Sequence, residues 1–311
     1  MDPSTATHSS PQAKLDPLHR AELVERLQRI HQSNGIIQPL EGVFVARTTK
    51  AMDPVYSVVQ PSLCIIAQGS KEVRLGDRLC HYDPYHYLLA CVELPVELKV
   101  LEASEETPYL GMRINISPAM IGSVISEGEQ LEASRPGSQQ GIDVSPLDST
   151  LLDAIVRLVR LIDSPADARI LQQSTVREIV YRLLMGEQGD RLRRMNLLNG
   201  QASRIAKAVK QISKRFSEPL QVEEIARSNE MSLSTFHQHF KSVTTMSPIQ
   251  FQKQLRLREA RRLMLDEHLD AATAGYKVGY DDASHFNRDY KRFFAAPPKR
   301  HIESLRKTVS L

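Results

Sequence analysis

The sequence predicts an α+β protein: a β-rich N-terminal domain carrying a helical hairpin, then an all-α C-terminal domain. Three observations lead there. Residues 36 to about 118 are short runs rich in Val, Ile, Leu and Tyr, cut by turn residues, the texture of an antiparallel all-β unit. Residues 148 to 185 return to an i, i+3/i+4 apolar spacing, which is helical. Residues 203 to 305 hold one pattern of paired helices twice. A chain of 311 residues accommodates two such domains. The boundaries fall at 1–17 for a disordered N-terminus, 18–189 for the β-rich domain with its hairpin, and 190–311 for the helical domain.

Met1 to Lys14 is polar and lacks a secretory apolar core, so it is expected to be disordered. Leu23, Val24, Leu27 and Ile30 place a first helix over Leu18 to Ile30, ended by Asn34-Gly35. In the β region, Gly76-Asp77 lies between Val73-Arg74-Leu75 and Arg78-Leu79-Cys80 and fits a tight hairpin with Gly at the first central position. Leu63-Cys64-Ile65-Ile66-Ala67 and Tyr87-Leu88-Leu89-Ala90 are apolar on both faces and read as inner strands. A small closed barrel or jelly roll accommodates them.

A helical stretch is expected from Pro118 to Glu127, then a loop from Ala133 to Val144, where Gly, Ser and Gln surround Pro136. Leu151, Leu152, Ile155, Leu158, Val159 and Ile162 form the apolar face of the next helix, with Asp148 or Ser149 as its N-cap. Asp163-Ser164-Pro165 stops it. A second helix runs from about Ala166 to Met185 with Ile170, Val176, Ile179, Val180, Leu183 and Leu184 inward. This hairpin either caps the β unit or offers Leu151 to Ile162 as a dimer contact. Gly186 to Asp190 is the break before the C-terminal domain, and Arg191 to Asn199 is a basic linker or a lead-in to a helix over Ser203 to Phe216.

The repeated pattern is the most informative stretch. Its first copy runs Val222-Glu223-Glu224-Ile225-Ala226, Met231, Ser234 to Lys241 and Ser247-Pro248; its second runs Ala271 to Tyr276, Tyr280, Ser284 to Lys291 and Pro297-Pro298. Each copy is a short helix, a tight break, and a second helix with two aromatics four apart, hence on one face. Phe236 with Phe240, and Phe286 with Tyr290, are the core anchors, and the opposite faces point outward. That is the grammar of a helix-turn-helix, whose second helix enters a DNA major groove. Charge agrees: residues 190–311 hold 23 Lys+Arg against 13 Asp+Glu, whereas residues 1–189 hold 17 against 24. A basic third on an acidic remainder fits a nucleic-acid module beside a domain that does not touch DNA, the plainer alternative being a solvated basic surface.

Met246-Ser247-Pro248, Leu255 to Leu263, Val278-Gly279-Tyr280 and Ser284-His285-Phe286 running on to Phe294 resemble the DNA-binding domain of the AraC/XylS family of transcription regulators. Pro61 to Cys64, Ala67-Gln68-Gly69, Leu75-Gly76-Asp77, Tyr82-Asp83-Pro84 and Leu94-Pro95-Val96 are similar to the cupin-like N-terminal barrel of such regulators, which holds the effector site. The resemblance implies a cytoplasmic homodimer that binds double-stranded DNA and a small-molecule effector, acts as an activator, and admits RNA polymerase as a further partner. Two departures stand out: Glu230 where the family's first turn often has Gly, and Gly275 in place of the usual inward Ala.

With Ser232 as N-cap, the outward face of the first recognition helix, about Leu233 to Val243, presents Ser234, His237, Gln238 and Lys241. With Asp281 or Asp282 as cap, the second presents Ala283, Ser284, His285, Arg288 and Lys291. Hydroxyl, imidazole and amide groups suit base edges, Lys suits phosphate, and Arg288 suits a bidentate contact to guanine. His239, Asn287 and Asp289 read as solvated. The helix over Pro248 to Leu265 would span about 27 Å at 1.5 Å per residue, short of the roughly 34 Å between successive major grooves on one DNA face. Bent DNA, or one motif fully seated, would reconcile the two lengths.

No GxSxG, P-loop or HExxH pattern is present, so an enzyme is not expected. No apolar run reaches membrane length, and no membrane partner is expected. His81 and His86 lack metal-ligand spacing; neither a metal nor a cofactor is expected. Cys64, Cys80 and Cys91 form no CxxC, and inert packing is the plain reading. The rivals are a redox- or electrophile-sensing regulator acting through a cysteine, Cys80 being the least apolar, a cupin-type metalloenzyme, and an architectural DNA binder without an effector.

Overall fold

The computed structural model describes residues 11–52, 54–127, 140–196 and 201–309. The first helix, α1 (Pro11–Ile30), begins at Pro11 rather than Leu18. Residues 11–17 are therefore helical, not disordered, while residues 1–10 lie outside the described residues. The Leu23 and Leu27 side chains, one turn apart, are buried.

Nine strands follow: β1 (Gly35–Leu40), β2 (Val43–Thr48), β3 (Val55–Val59), β4 (Ser62–Gln68), β5 (Ser70–Leu75), β6 (Arg78–Tyr82), β7 (His86–Ala90), β8 (Leu94–Glu102) and β9 (Tyr109–Asn115). Helix α2 (Pro118–Glu127) is where its spacing placed it. The loop expected from Ala133 to Val144 is corrected in part. Residues 133–139 lie outside the described residues, but β10 (Ile142–Pro146) pairs antiparallel with β7, where Ile142 is fully buried. The apolar residues in that turn-rich stretch are too few to show a strand by period.

The strands form a six-stranded sheet in the order β1-β2-β9-β4-β7-β10, facing a four-stranded sheet in the order β3-β8-β5-β6. Strands β4 and β7 are interior, as their two-sided apolar sequences require. Alternate residues explain the arrangement. Leu63, Ile65, Leu89, Leu110 and Ile114 share one core with α1 and the helical hairpin, whereas Ile66, Leu88, Ala90 and Tyr109 share another with Val73, Tyr82 and Val96 of the second sheet. The β5–β6 hairpin turns on Gly76, whose φ of +58° suits glycine.

The hairpin comprises α3 (Ser149–Arg160) and α4 (Pro165–Met185). Asp148 caps α3 by accepting from the Thr150 and Leu151 amides. From Leu151 to Val159, every apolar side chain of α3 is buried in the domain's own core. This overturns the reading of α3 as a dimer contact, because no apolar face is left over. On α4, Val176, Ile179, Val180, Leu183 and Leu184 are inward as expected, but Ile170 is 75% exposed. It sits in the first turns, beyond the reach of the sheet. A short helix, α5 (Gly189–Asn196), takes up the described part of the stretch read as a basic linker or a lead-in to the next helix. Its Leu192 and Arg191 are buried, and Arg191 donates to the carbonyls of Leu89 and Gln140. The chain thus remains part of the first domain past residue 189.

The C-terminal domain contains α6 (Gln201–Lys214), α7 (Val222–Ser228), α8 (Leu233–Thr244), α9 (Pro248–Asp266), α10 (Ala271–Lys277), α11 (Ala283–Phe294) and α12 (Pro298–Val309). Helix α9 serves both motifs. Its Phe251 and Leu255 join the core of the first, and its Leu257, Ala260, Leu263 and Met264 join the core of the second. A capping box of Ser247 and Gln250 starts α9, with Pro248 in its tolerated first-turn place.

Candidate nucleic-acid interface

The repeat seen in sequence is repeated in backbone detail. After α7, Met231 N–H donates to the Ala226 carbonyl at 3.0 Å; after α10, Tyr280 N–H donates to the Gly275 carbonyl at 3.0 Å. Serine 232 caps α8 by accepting from the Thr235 amide, and Asp282 caps α11 by accepting from the His285 amide at 2.6 Å. Both recognition helices end on a left-handed residue, Thr245 (φ +64°) and Ala295 (φ +58°). Phe236 and Phe240 are fully buried with ring centroids 5.4 Å apart; Phe286 and Tyr290 are fully buried at 5.5 Å. Those anchors fix the rotation of each helix about its axis.

The opposite faces are open. Ser234, His237, Gln238 and Lys241 are exposed on α8, and Ser284, His285, Arg288 and Lys291 on α11, with Ala283 half-buried at its start. Among the described residues, neither Arg288 nor Lys291 is held by a hydrogen bond or ion pair. Together with Asn287 and Lys299 they line a shallow concavity at the start of α12. Three cations around a hollow next to a helix start suit a phosphate-bearing backbone. Lys299 was not singled out from the sequence. Its signal was Pro297-Pro298 followed by Lys299-Arg300, a helix start with positive charge.

Asp289 departs from its expected solvated role. It is 3% exposed, and its carboxylate meets Lys253 at 2.8 Å, Arg292 at 2.6 Å and His285 at 3.5 Å, with the Tyr280 hydroxyl at 3.4 Å. Burial alone would raise this carboxyl, but Lys253, His285 and Arg292 together hold it below its ordinary value of 3.8. The reason lies in the facing helix. Lys253 of α9 reaches across, a pairing that a single helical face cannot reveal. His285 stays 56% exposed but is held on one side by Asp289 and on the other by the edge of the Tyr280 ring.

A second device is the half-buried Arg256 on α9. Its guanidinium donates to the Phe216 carbonyl at 2.7 Å, Ser217 at 3.2 Å, Glu218 at 2.8 Å and Gly279 at 2.7 Å. The first three acceptors follow α6 of the first motif; the fourth lies in the turn of the second. Gly279 has φ +91°, and any Cβ there would collide with the Ser217 carbonyl at 1.9 Å. Arg256 therefore braces the two motifs at one separation.

Both departures from the family pattern acquire physical meaning. Glu230 does adopt positive φ, +54°, at a cost on the order of 1 kcal/mol, while its side chain pairs with Arg204 at 2.9 Å. Gly275 presses on Phe286: a Cβ would lie 2.9 Å from its ring. The missing methyl group makes room for the anchor aromatic, at a cost of about 1 kcal/mol in helix propensity.

The β domain also holds a cavity of about 150 Å³ between the two sheets, walled by Val59, Val73, Val96 and Leu98 among others. Its surroundings connect to the DNA-binding unit. The core of the sheet interior runs on without interruption into that of the first motif through Val92, Leu94, Val243 and Met246. The Thr245 hydroxyl donates to the Leu75 carbonyl at 2.9 Å, and Gly141 N–H to the Val243 carbonyl at 2.8 Å. From β3, Tyr56 packs on Phe293 and Phe294 at 5.1 and 5.0 Å, with the Arg258 and Arg261 guanidinium groups over its ring.

The three cysteines, His81 and His86 take ordinary places in the fold. Burial pushes the thiols of Cys64, Cys80 and Cys91 above their ordinary value, opposite to what a sensing thiolate needs. Cys80, read as the least apolar, is buried between the sheets. His86 is bonded to Asp83 at 2.7 Å, and His81 is exposed on β6. Among the described residues, no three His, Cys, Asp or Glu side chains cluster as metal ligands, and no helix is long and apolar enough to cross a membrane.

A cavity-bearing β domain joined to two braced helix-turn-helix motifs defines a two-domain DNA-binding regulator. Comparisons with known proteins agree. Residues 39–191 match the AraC-type transcriptional regulator N-terminus, and residues 225–304 match a helix-turn-helix domain. The HTH-type transcriptional activator RhaS of Salmonella schwarzengrund is 26% identical over 156 residues, 49% of this chain and 55% of that protein. RhaS of Salmonella dublin is 27% identical over 174 residues, 54% and 61% respectively. The chain thus spans little more than half the length of these relatives. In fold, it is similar to ToxT from Vibrio cholerae with a TM-score of 0.54 at 11% identity, covering 84% of this chain and 97% of that one. Unsaturated fatty acid bound ToxT gives 0.51 at 10% identity, covering 88% and 97%. The chain belongs to the AraC/XylS family of transcription regulators, a family of regulators rather than enzymes.

Proposed function

We propose that this protein regulates transcription by seating α8 and α11 in neighbouring major-groove segments of one duplex. Ser234, His237, Gln238, Ala283, Ser284, His285 and Arg288 face the bases, with Lys241 and Lys291 on the phosphates. The observation that carries this reading is the pair of polar ridges, each fixed in rotation by two buried aromatics and joined by one helix braced through Arg256. Helix α9, 19 residues long, spans about 28 Å, so the duplex bends toward it or one motif seats less deeply.

A small molecule in the β-domain cavity biases the DNA-binding unit, on this proposal. Support comes from the continuous core and the bonds that tie β5, the segment before β10 and β3 to α8, α9 and α11. A similarly folded protein, ToxT, carries a bound fatty acid. The regulator acts in the cytoplasm as a homodimer and, like RhaS, as an activator, with RNA polymerase as a further partner. With α3 enclosed, the exposed Ile170, Leu171, Tyr181 and Met185 of α4 are the large apolar side chains that this hairpin leaves uncovered.

The test is selection of binding sites by the purified full chain from a randomised duplex pool. Enrichment of two short segments about 10 base pairs apart is expected. A pool that stays random after repeated rounds at moderate salt would refute the reading.

A further inference from the structure

The cavity between the sheets carries charge that nothing among the described residues neutralises. Arg113 on β9 lies directly across from Cys64 on β4, so both project from the same face of the six-stranded sheet. Lys71 comes from β5 of the opposite sheet, and all three line the cavity. Among the described residues, Lys71 forms no hydrogen bond or ion pair, its closest aromatic partner being the Tyr109 ring at 5.8 Å. Arg113 stacks on Phe44 at 4.1 Å, but its Nε is buried without a hydrogen-bond partner. No Asp or Glu is among the described residues that line the space.

Two half-buried cations that face one cavity, with no carboxylate between them, are costly to hold there. Burial, and to a lesser extent the Arg113 guanidinium, hold the Lys71 ammonium below the ordinary value of 10.5 against the opposing pull of Cys64. An anion placed between them would satisfy both at once. The rest of the wall is apolar, contributed by side chains such as Val59, Val73, Val96 and Leu98, and so favours a ligand with a hydrocarbon body. A volume of about 150 Å³ is the scale of one six-membered ring. A polyanion such as phosphate would leave that apolar wall unused and bring more oxygens than two cations can serve.

We propose that the cavity binds a compact organic monocarboxylate, its carboxylate clamped between Lys71 and Arg113 and its hydrocarbon body on the apolar wall. This rests on the reading of the cavity as an effector site and assigns that site's ligand class. Lys71 reaches from one sheet and Arg113 from the other, so an occupied clamp ties the sheets together. Tyr109, on the same face as Arg113, and Gly111 lie beside the clamp. Gly111 gives the Tyr109 hydroxyl room, since a Cβ there would come within 2.3 Å of it.

The experiment titrates the full-length protein with benzoate and hexanoate against their neutral isosteres, benzamide and hexanamide, following thermal unfolding and binding heat. Both acids are expected to bind and raise the unfolding temperature, and the amides to do neither. Lys71→Met and Arg113→Met should each weaken acid binding about 10- to 100-fold, the worth of a charge-assisted hydrogen bond. Without ligand, each variant should unfold at a temperature no lower than the wild type, since an unpaired half-buried cation has been removed. That control separates lost binding from lost folding. Amides binding as well as acids would overturn the ligand class while leaving the cavity as an effector site. No binding by any probe up to about 10 mM, or unchanged acid affinity in both variants, would overturn the proposal. Randomised-duplex selection would still decide the DNA-binding reading independently.

Discussion

Replacing Arg256 with alanine should uncouple the two DNA-binding motifs. The guanidinium serves four carbonyls, two of them part-buried, Phe216 and Gly279, and two on the exposed side, Ser217 and Glu218. Each part-buried charge-assisted bond is worth about 1.5 kcal/mol. The exposed pair, which water can replace, adds about a third as much each, giving about 4 kcal/mol before relaxation and about 3 kcal/mol after it. Arg256→Lys should recover less than half, because a point ammonium cannot reproduce a planar fork across two loops. The chain has no tryptophan, so urea unfolding is best followed by helical circular dichroism and tyrosine emission. The DNA assay uses the selected duplex and two derivatives in which one segment is scrambled. Arg256→Ala should keep its affinity for each single segment within about threefold and lose at least tenfold on the paired site, through lost effective concentration. A stability loss below about 0.5 kcal/mol, or equal losses on single and paired sites, would refute the brace.

Three further outcomes follow from individual contacts. Gly275→Ala gains about 1 kcal/mol of helix propensity but forces Phe286 to shift, an overpacking cost of about 1–3 kcal/mol; a net destabilisation in thermal unfolding is expected, and a stabilised variant would contradict the packing. Asp289→Asn should destabilise by about 1–3 kcal/mol, less than a fully enclosed pair, because the roof over the carboxylate is Lys253, His285 and Arg292 rather than apolar core. Asp289 is held below 3.8, so its contribution is complete above that pH and fades as pH falls through the lower folded value; the difference between wild type and Asp289→Asn should shrink in that acid window, and an unchanged gap would count against the hub. On α1, Glu22 binds Arg160 and Arg26 and is held at about 2 against an ordinary 4.5. Its grip on α3 should persist above pH 4.5 and weaken as pH falls toward 2, read as earlier hydrogen exchange in α1 for wild type but little further change for Glu22→Gln.

Local signals exposed much of this molecule. Spacing located α2, the helical hairpin, both recognition helices and the Gly76 turn, because each depends on a period or a cap written within a dozen residues. The anchors Phe236, Phe240, Phe286 and Tyr290 were readable for the same reason. Features that depend on a distant partner were not. Asp289 looks solvated until Lys253 arrives from another helix. Arg256 looks like one basic residue among many until four carbonyls from two loops surround it. The apolar face of α3 reads the same whether it meets a second subunit or its own sheet, and only the fold settles that it meets α1 and the sheet. Strand β10 carries too few residues to declare itself. Lys71 and Arg113 are ordinary cations in sequence; the closing of two sheets is what brings them to one cavity.

The claim at the centre is that two outward polar ridges read a duplex. The most direct measurement compares salt dependence and sequence preference for Arg288→Ala and Lys241→Ala on selected and random duplexes. The account predicts that Arg288→Ala loses about 1–3 kcal/mol on the selected duplex and relaxes preference at one base pair. It predicts that Lys241→Ala weakens binding to every duplex alike and flattens the logarithmic salt slope by about one. Equal losses on selected and random duplexes for both variants would contradict it.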